Sequence, residues 1–206
     1  MQDRSYKALK KDFNKTINLL FAGVGGQGVL LASDILSEIA HAAGLDVKKS
    51  DIHGMSQRGG SVVSQVRIGE KVYSPIIREG EVDFLIAFEI LEALRCLNIL
   101  SEKCRIIVNN QKIYPISIYN GKENKHPKDD FELIKKRYKD AELMDGFAIA
   151  EKAGDNRAVN LVLLGRLSNY LPFEQTLWEG VIKRCVPPSS VEKNLHAFKL
   201  GRRVGL

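Results

Sequence analysis

A chain of 206 residues, 44% hydrophobic and 27% charged, has ordinary globular composition and can bury a full core without disulfides or metal. Its 31 Lys+Arg against 25 Asp+Glu give a formal charge of +6, which suits acidic partners, yet aromatic residues are only 7% and do not interleave with the basic ones. That argues against a base-stacking nucleic-acid platform, and the three cysteines, scattered and in no C-x-x-C pattern, exclude a self-contained four-cysteine cluster or zinc site and point to a reducing compartment.

Residues 1–16 form a basic extension with Lys7, Lys10, Lys11 and Lys15 and no apolar signal-peptide core. No run of about 18 apolar residues follows anywhere, so a cytoplasmic protein without a membrane span is expected. Ile17 to Ala22 reads as a strand buried on both faces. Ala32, Ile35, Leu36, Ile39, Ala40 and Ala43 then recur with helical spacing, and Gly44 stands where a C-terminal helix cap belongs. Leu45 to Lys49 reads as a second strand, and this order predicts a βαβ unit.

Between strand and helix lies Gly23-Val24-Gly25-Gly26-Gln27-Gly28, a G-x-G-x-x-G match in the context that gives it meaning. Glycines permit positive φ and close backbone approach, and the N–H groups of the following helix start attract anions. The alternative is a tight turn that only packs or touches another protein.

Asp51 to Gly60 breaks all periodicity and reads as a loop carrying His53, Ser56, Gln57, Arg58 and Gly59. Arg58 offers a planar fork for carboxylate or phosphate, which Ser56, Gln57 and glycine N–H groups can complete. His53 has no companion with metal spacing, so no metal site is read. Ser61 to Ile68 alternates as a strand, with a hairpin return expected through Gly69-Glu70 into Lys71-Val72-Tyr73. Further strands are predicted at Val82–Phe88, Cys104–Val108 and Ala141–Met144. Helices are predicted over 90–97, Phe131–Tyr138, Ala158–Leu167, Glu174–Cys185 and Ser190–Gly201. Residues 117–130 are a polar surface insertion. The fold class is α/β: one domain spanning 1–206, a Rossmann-like, mostly parallel sheet with helices on both faces.

The two glycine-bearing stretches, Gly23 to Val29 and His53-Gly54-Met55-Ser56-Gln57-Arg58-Gly59-Gly60-Ser61, resemble the gamma-type domain of 2-oxoacid:ferredoxin oxidoreductases. The second is most similar to the small (beta) subunit of the indolepyruvate type. Asn156 to Asn160 before Leu164-Gly165, and Asn194 with Ala197-Phe198 and Gly201, agree with it. The resemblance implies a shared reaction: an arylpyruvate is decarboxylated on thiamine diphosphate, electrons pass through iron–sulfur clusters to ferredoxin, and coenzyme A takes the acyl group. It implies that a larger partner subunit carries thiamine diphosphate, magnesium and the clusters, with no redox cofactor on this chain and no activity for it alone. Gly154-Asp155-Asn156 is not the Gly-Asp-Gly of a diphosphate–magnesium site, which fits that division. No catalytic side chain is assigned. Gly25, Gly26, Gln27, Gly28, His53, Ser56, Gln57, Arg58 and Gly59 are candidates for lining a ligand cleft. An equivalent subunit acting on pyruvate, 2-oxoglutarate or branched-chain oxoacids is the main alternative. A free-standing NADP-binding oxidoreductase, with Lys48 and Lys49 on a 2′-phosphate, is the other.

Overall fold

The computed structural model describes residues 15–54, 60–111, 113 and 130–205. One six-stranded sheet organises them, in the order β2-β3-β1-β4-β5-β6. The strands are β1 (Ile17–Val24), β2 (Asp46–His53), β3 (Ser61–Gly69), β4 (Val82–Ala87), β5 (Leu100–Asn109) and β6 (Glu142–Met144). β1, β4, β5 and β6 pair in parallel, while β3 runs antiparallel to both β1 and β2. The mostly parallel α/β sheet predicted from the sequence is therefore present.

Helices α1 (Val29–Ala42), α2 (Ile90–Cys96), α3 (Asp130–Arg137), α4 (Gly146–Lys152), α5 (Val159–Leu167), α6 (Gln175–Cys185) and α7 (Val191–Arg202) cover both faces. Alternation along β1 decides which: Leu19 and Phe21 join a core with α1, α5, α6 and α7. Leu20 and Ala22 join the opposite core with α2 and α3. On the first face α5 and α7 cross backbone to backbone. A Cβ on Gly165 would lie 2.1 Å from the Phe198 carbonyl oxygen, and one on Gly201 2.1 Å from that of Val162. Among the described residues no helix is long and apolar enough to cross a membrane.

Three expectations need correction, and one helix was missed. The βαβ unit is split, because β3 inserts between β1 and β2, which therefore share a direction but no ladder. The hairpin return at Lys71 to Tyr73 does not form, since both edges of β3 are already taken by β1 and β2. Backbone groups there bond to side chains instead: Val72 N–H donates to Asp46 Oδ2 at 2.9 Å and Ile77 N–H to Gln65 Oε1 at 2.7 Å. The second strand does not stop at Lys49 but continues through Asp51 and Ile52 to His53. Helix α4 went unpredicted: seven residues carry less than two turns of periodicity, although Asp145 caps it by accepting the Ala148 N–H at 3.0 Å. Residues 1–14 of the basic extension and 117–129 of the insertion lie outside the described residues, and Asp130 opens α3.

Candidate functional site

The chain leaves β1 through α1 toward β2 on one side, while β4 leads to β5 on the other. This reversal makes a crevice at the carboxyl edge of the sheet, where open α/β sheets hold ligands. The glycine loop occupies it. Gly28 is the N-cap of α1 with φ 81°, and Gly26 has φ 99°; both angles favour glycine. Gly23 is required for another reason, since a Cβ there would come within 2.8 Å of Val29, Gln27 and Phe88 side-chain atoms.

Part of this loop is committed internally. The Gly25 N–H donates to the Gly60 carbonyl at 2.9 Å and the Gln27 N–H to that of Val24 at 3.1 Å. The Gln27 N–H is thus turned inward, onto its own loop. The Gln27 side chain completes the closure: its Oε1 accepts from Val24 N–H at 2.6 Å. Its Nε2 donates to the Phe88 carbonyl at 3.2 Å and Gln111 Oε1 at 3.0 Å.

Two clefts flank the loop. The larger, about 460 Å³, lies between the first turn of α1 and the end of β2, and is lined by Gly25, Gly26, Gly28, Leu30, His53 and Val62 among others. Among the described residues no side chain caps α1 and no acidic residue sits in its first turn, so the positive end of the helix dipole faces this cleft without a carboxylate in that turn. An anionic group is the chemistry it favours. His53, predicted on a loop, is the last residue of β2, opposite Val62. Ser56, Gln57, Arg58 and Gly59 lie outside the described residues. The positions on either side of that stretch are pinned here, Gly60 by Gly25 and Gly54 by its N–H to the Ser61 carbonyl at 2.9 Å.

The smaller cleft, about 260 Å³, opens on the other side of the loop against Phe88, Gln111, Phe147 and Arg157. The sequence reading missed its framework. Asn109, 1% exposed, accepts the Gly146 N–H at 2.9 Å and donates to Phe88 O and Gln111 Oε1, both at 3.2 Å. An asparagine ending a buried apolar strand was the available signal. Glu89, also 1% exposed, caps α2 through Glu92 N–H at 3.0 Å and accepts Ile113 N–H at 3.1 Å. Burial raises its pKa. Nearby, the hydrogen-bonded Arg157 guanidinium holds the Asp155 carboxyl down to about 2.

The lysines considered for a 2′-phosphate sit mid-strand and are engaged, Lys49 by Asp34 and Asp51 and Lys48 by Asp46. With β3 interposed, β2 lies roughly 10 Å from β1 instead of beside it. The ribose-binding geometry of a dinucleotide unit is not built. Cys96 and Cys104 are buried thiols pushed up to about 12 by desolvation, which makes them poor nucleophiles and ligands. No three His, Cys, Asp or Glu side chains converge among the described residues.

A mostly parallel α/β sheet with a glycine loop at its switch point, closed by an amide network, defines a Rossmann-like fold. The chain belongs to the pyruvate ferredoxin/flavodoxin oxidoreductase family, whose model matches residues 18–204. It is similar to indolepyruvate oxidoreductase subunit IorB of Thermococcus kodakarensis, with 36% identity covering 91% of this chain and 95% of that one. The same subunit of Archaeoglobus fulgidus is 40% identical, over 90% and 93% of the two chains. In fold it resembles the gamma subunit of a keto/oxoacid ferredoxin oxidoreductase from Geobacter sulfurreducens, with a TM-score of 0.66 at 22% identity over 90% of this chain and 95% of that one.

Proposed function

We propose that residues 1–206 act as one gamma-type domain, the small subunit of an indolepyruvate-type 2-oxoacid:ferredoxin oxidoreductase. In the assembled enzyme an arylpyruvate and coenzyme A yield acyl-CoA and carbon dioxide, and ferredoxin is reduced. Thiamine diphosphate, magnesium and the iron–sulfur clusters belong to the larger partner subunit, and this chain is inactive alone. The observation that carries the reading is the likeness to IorB subunits at 36–40% identity over nearly the full length of both chains.

Within this reading Gly25, Gly26, Gly28 and His53 line the carboxyl-edge cleft, and Gln27 holds its glycine wall closed. Ser56, Gln57, Arg58 and Gly59 are the further candidates for ligand contact, in the segment whose flanking residues Gly54 and Gly60 are hydrogen-bonded beside this cleft. The ligands on offer are anionic: the oxoacid carboxylate, the coenzyme A phosphates, or acidic side chains of the larger subunit. Helix α1 favours all three.

Co-purification tests the assembly. A tagged form of this chain, expressed with a large polypeptide bearing thiamine and eight-cysteine ferredoxin motifs, should carry that polypeptide through size exclusion in a brown complex. Elution of the two as separate species would overturn the assignment. The free-standing NADP oxidoreductase is not favoured, because β3 separates β2 from β1 and the Lys48 and Lys49 charges are paired.

A further inference from the structure

We propose that a second cleft, at the amino edge of the sheet with Arg67 in its floor, docks an acidic segment of the larger partner subunit. The proposal rests on the assembly just described and adds a location and a chemistry to it. The cleft, about 540 Å³, lies at the opposite end of β1 from the glycine loop. Roughly 20 Å of strand separate Asn18 from Val24, so occupation of one edge leaves the other open.

Arg67 on β3 stands opposite Asn18 on β1. Its Nε donates to Asn18 Oδ1 at 2.8 Å, and its Nη1 to the Ser74 and Ile76 carbonyls at 3.0 and 3.1 Å. Asn18 is itself 3% exposed and fixed through Nδ2 to the Glu81 carbonyl at 2.8 Å. The guanidinium is therefore locked by neutral oxygens alone. Among the described residues no carboxylate pairs with it, and Nη2 has no partner. A half-buried cation held this way retains its full charge and half of its fork for an incoming oxyanion.

The rim repeats the sign. Lys71 and Arg78 are exposed and make no ion pair among the described residues, and Glu81 is the one carboxylate in the lining. The nearby Asp46 carboxylate is already occupied by Lys48 and the Val72 N–H. Charge alone would suit a small anion equally well. Apolar exposure decides for a protein: Tyr73 is 90% exposed and Ile76 52% exposed, beside the fixed arginine. Tyrosine and arginine around a rigid floor are the anchors that carry protein interfaces, and a free phosphate would leave that surface wet. The segment bearing them is pre-organised. Val72 and Ile77 N–H groups bond to Asp46 and Gln65, so little ordering is lost on docking.

The test measures affinity of this chain for the immobilised large subunit at low and at physiological salt. Two variants, Lys71→Glu/Arg78→Glu and Tyr73→Ala, change exposed positions and should melt with the wild type. Each should weaken binding by roughly tenfold or more, and the wild-type affinity should fall with salt. A control of equal charge change on α6, Lys183→Glu/Arg184→Glu, should bind as wild type. Wild-type binding by both rim variants overturns the proposal and leaves the assembly intact. Failure of the wild type to bind at all overturns the assembly and this surface with it. Loss of binding in the α6 control equal to that in the rim variants would reduce the effect to net charge and also overturn the site, as would a lone chain that self-associates through Tyr73.

Discussion

Gly28 at the start of α1 is packed against the buried side chain of Asn160 on α5, so closely that a Cβ on Gly28 would lie 2.9 Å from Asn160 Nδ2. The glycine loop near the N-terminus and the Asn156–Asn160 stretch far along the chain thus form one piece of structure. Asn160 is held in turn, its Oδ1 accepting the Leu161 N–H at 3.0 Å.

Gly28→Ala should consequently be destabilising on two grounds, the left-handed φ of 81° and the contact with Asn160. About 2–4 kcal/mol is expected, since an L side chain in the left-handed region costs about 1–2 kcal/mol and overpacking about as much again. Urea unfolding of the lone chain checks it. A midpoint equal to that of the wild type would show that the loop relaxes freely. Gly26→Ala, with the same sign of φ but nothing within 4 Å, should cost only the first part.

The Gln27 amide both accepts and donates, so Gln27→Glu should separate the two roles. The carboxylate keeps the bond from Val24 N–H but turns the donors toward Phe88 O and Gln111 Oε1 into repulsive contacts. A loss of about 1–3 kcal/mol is expected at neutral pH. The introduced carboxyl titrates upward in that setting, so its protonated form favours the fold. Stability should therefore recover on acidification and be lost again as pH rises through the folded-state pKa. Thermal melts of variant and wild type across that range decide; parallel curves would contradict the donor role.

Glu89 gives the wild type a slope of the same sign. Burial raises its pKa, so the folded state holds a proton that the unfolded chain has already released. Its contribution is fully present below the unfolded value and falls as pH rises from there through the raised one. Glu89→Gln removes this titration and, like the protonated acid, keeps one carbonyl oxygen as acceptor for the Glu92 or Ile113 N–H. The variant should unfold with the wild type at low pH and gain on it as pH rises toward neutrality. A variant that loses ground to the wild type as pH rises would contradict the assigned direction.

Most of the sheet was legible in the sequence because its strands are short apolar runs and its helices repeat with helical spacing. Ile17 to Ala22 and the face from Ala32 to Ala43 needed nothing beyond period and glycine punctuation. What escaped were relations set by distant partners. Nothing local announces that β3 slots between β1 and β2, because hydrophobic alternation in Ser61 to Ile68 is the same whichever neighbours it has. Asp51 and Ile52 read as loop, yet Asp51 accepts from the Ser64 hydroxyl at 2.6 Å across the ladder and extends β2. Of the site, the glycines and His53 came from motif and context. The Gln27–Asn109–Gln111 amide network did not, since polar side chains show no period by which to find one another.

Arg58→Ala should lower turnover or coenzyme A affinity of the assembled enzyme about tenfold or more, because a shielded charged hydrogen bond is worth about 1.5–3 kcal/mol. Lysine should rescue poorly, having no bidentate fork. The melting temperature of the lone chain should not move. Unchanged kinetics with a lowered melting temperature would instead assign Arg58 to holding its own loop, for instance against Asp51.

The most direct measurement is anaerobic reconstitution. This chain and the large thiamine- and cluster-bearing polypeptide are purified separately, then assayed for ferredoxin reduction with indolepyruvate and coenzyme A. Ferredoxin reduction should be absent from either protein alone and rise with added small chain until the two saturate at a fixed ratio. A large polypeptide that works at full rate by itself, or a small chain that oxidises the oxoacid unaided, would contradict the account.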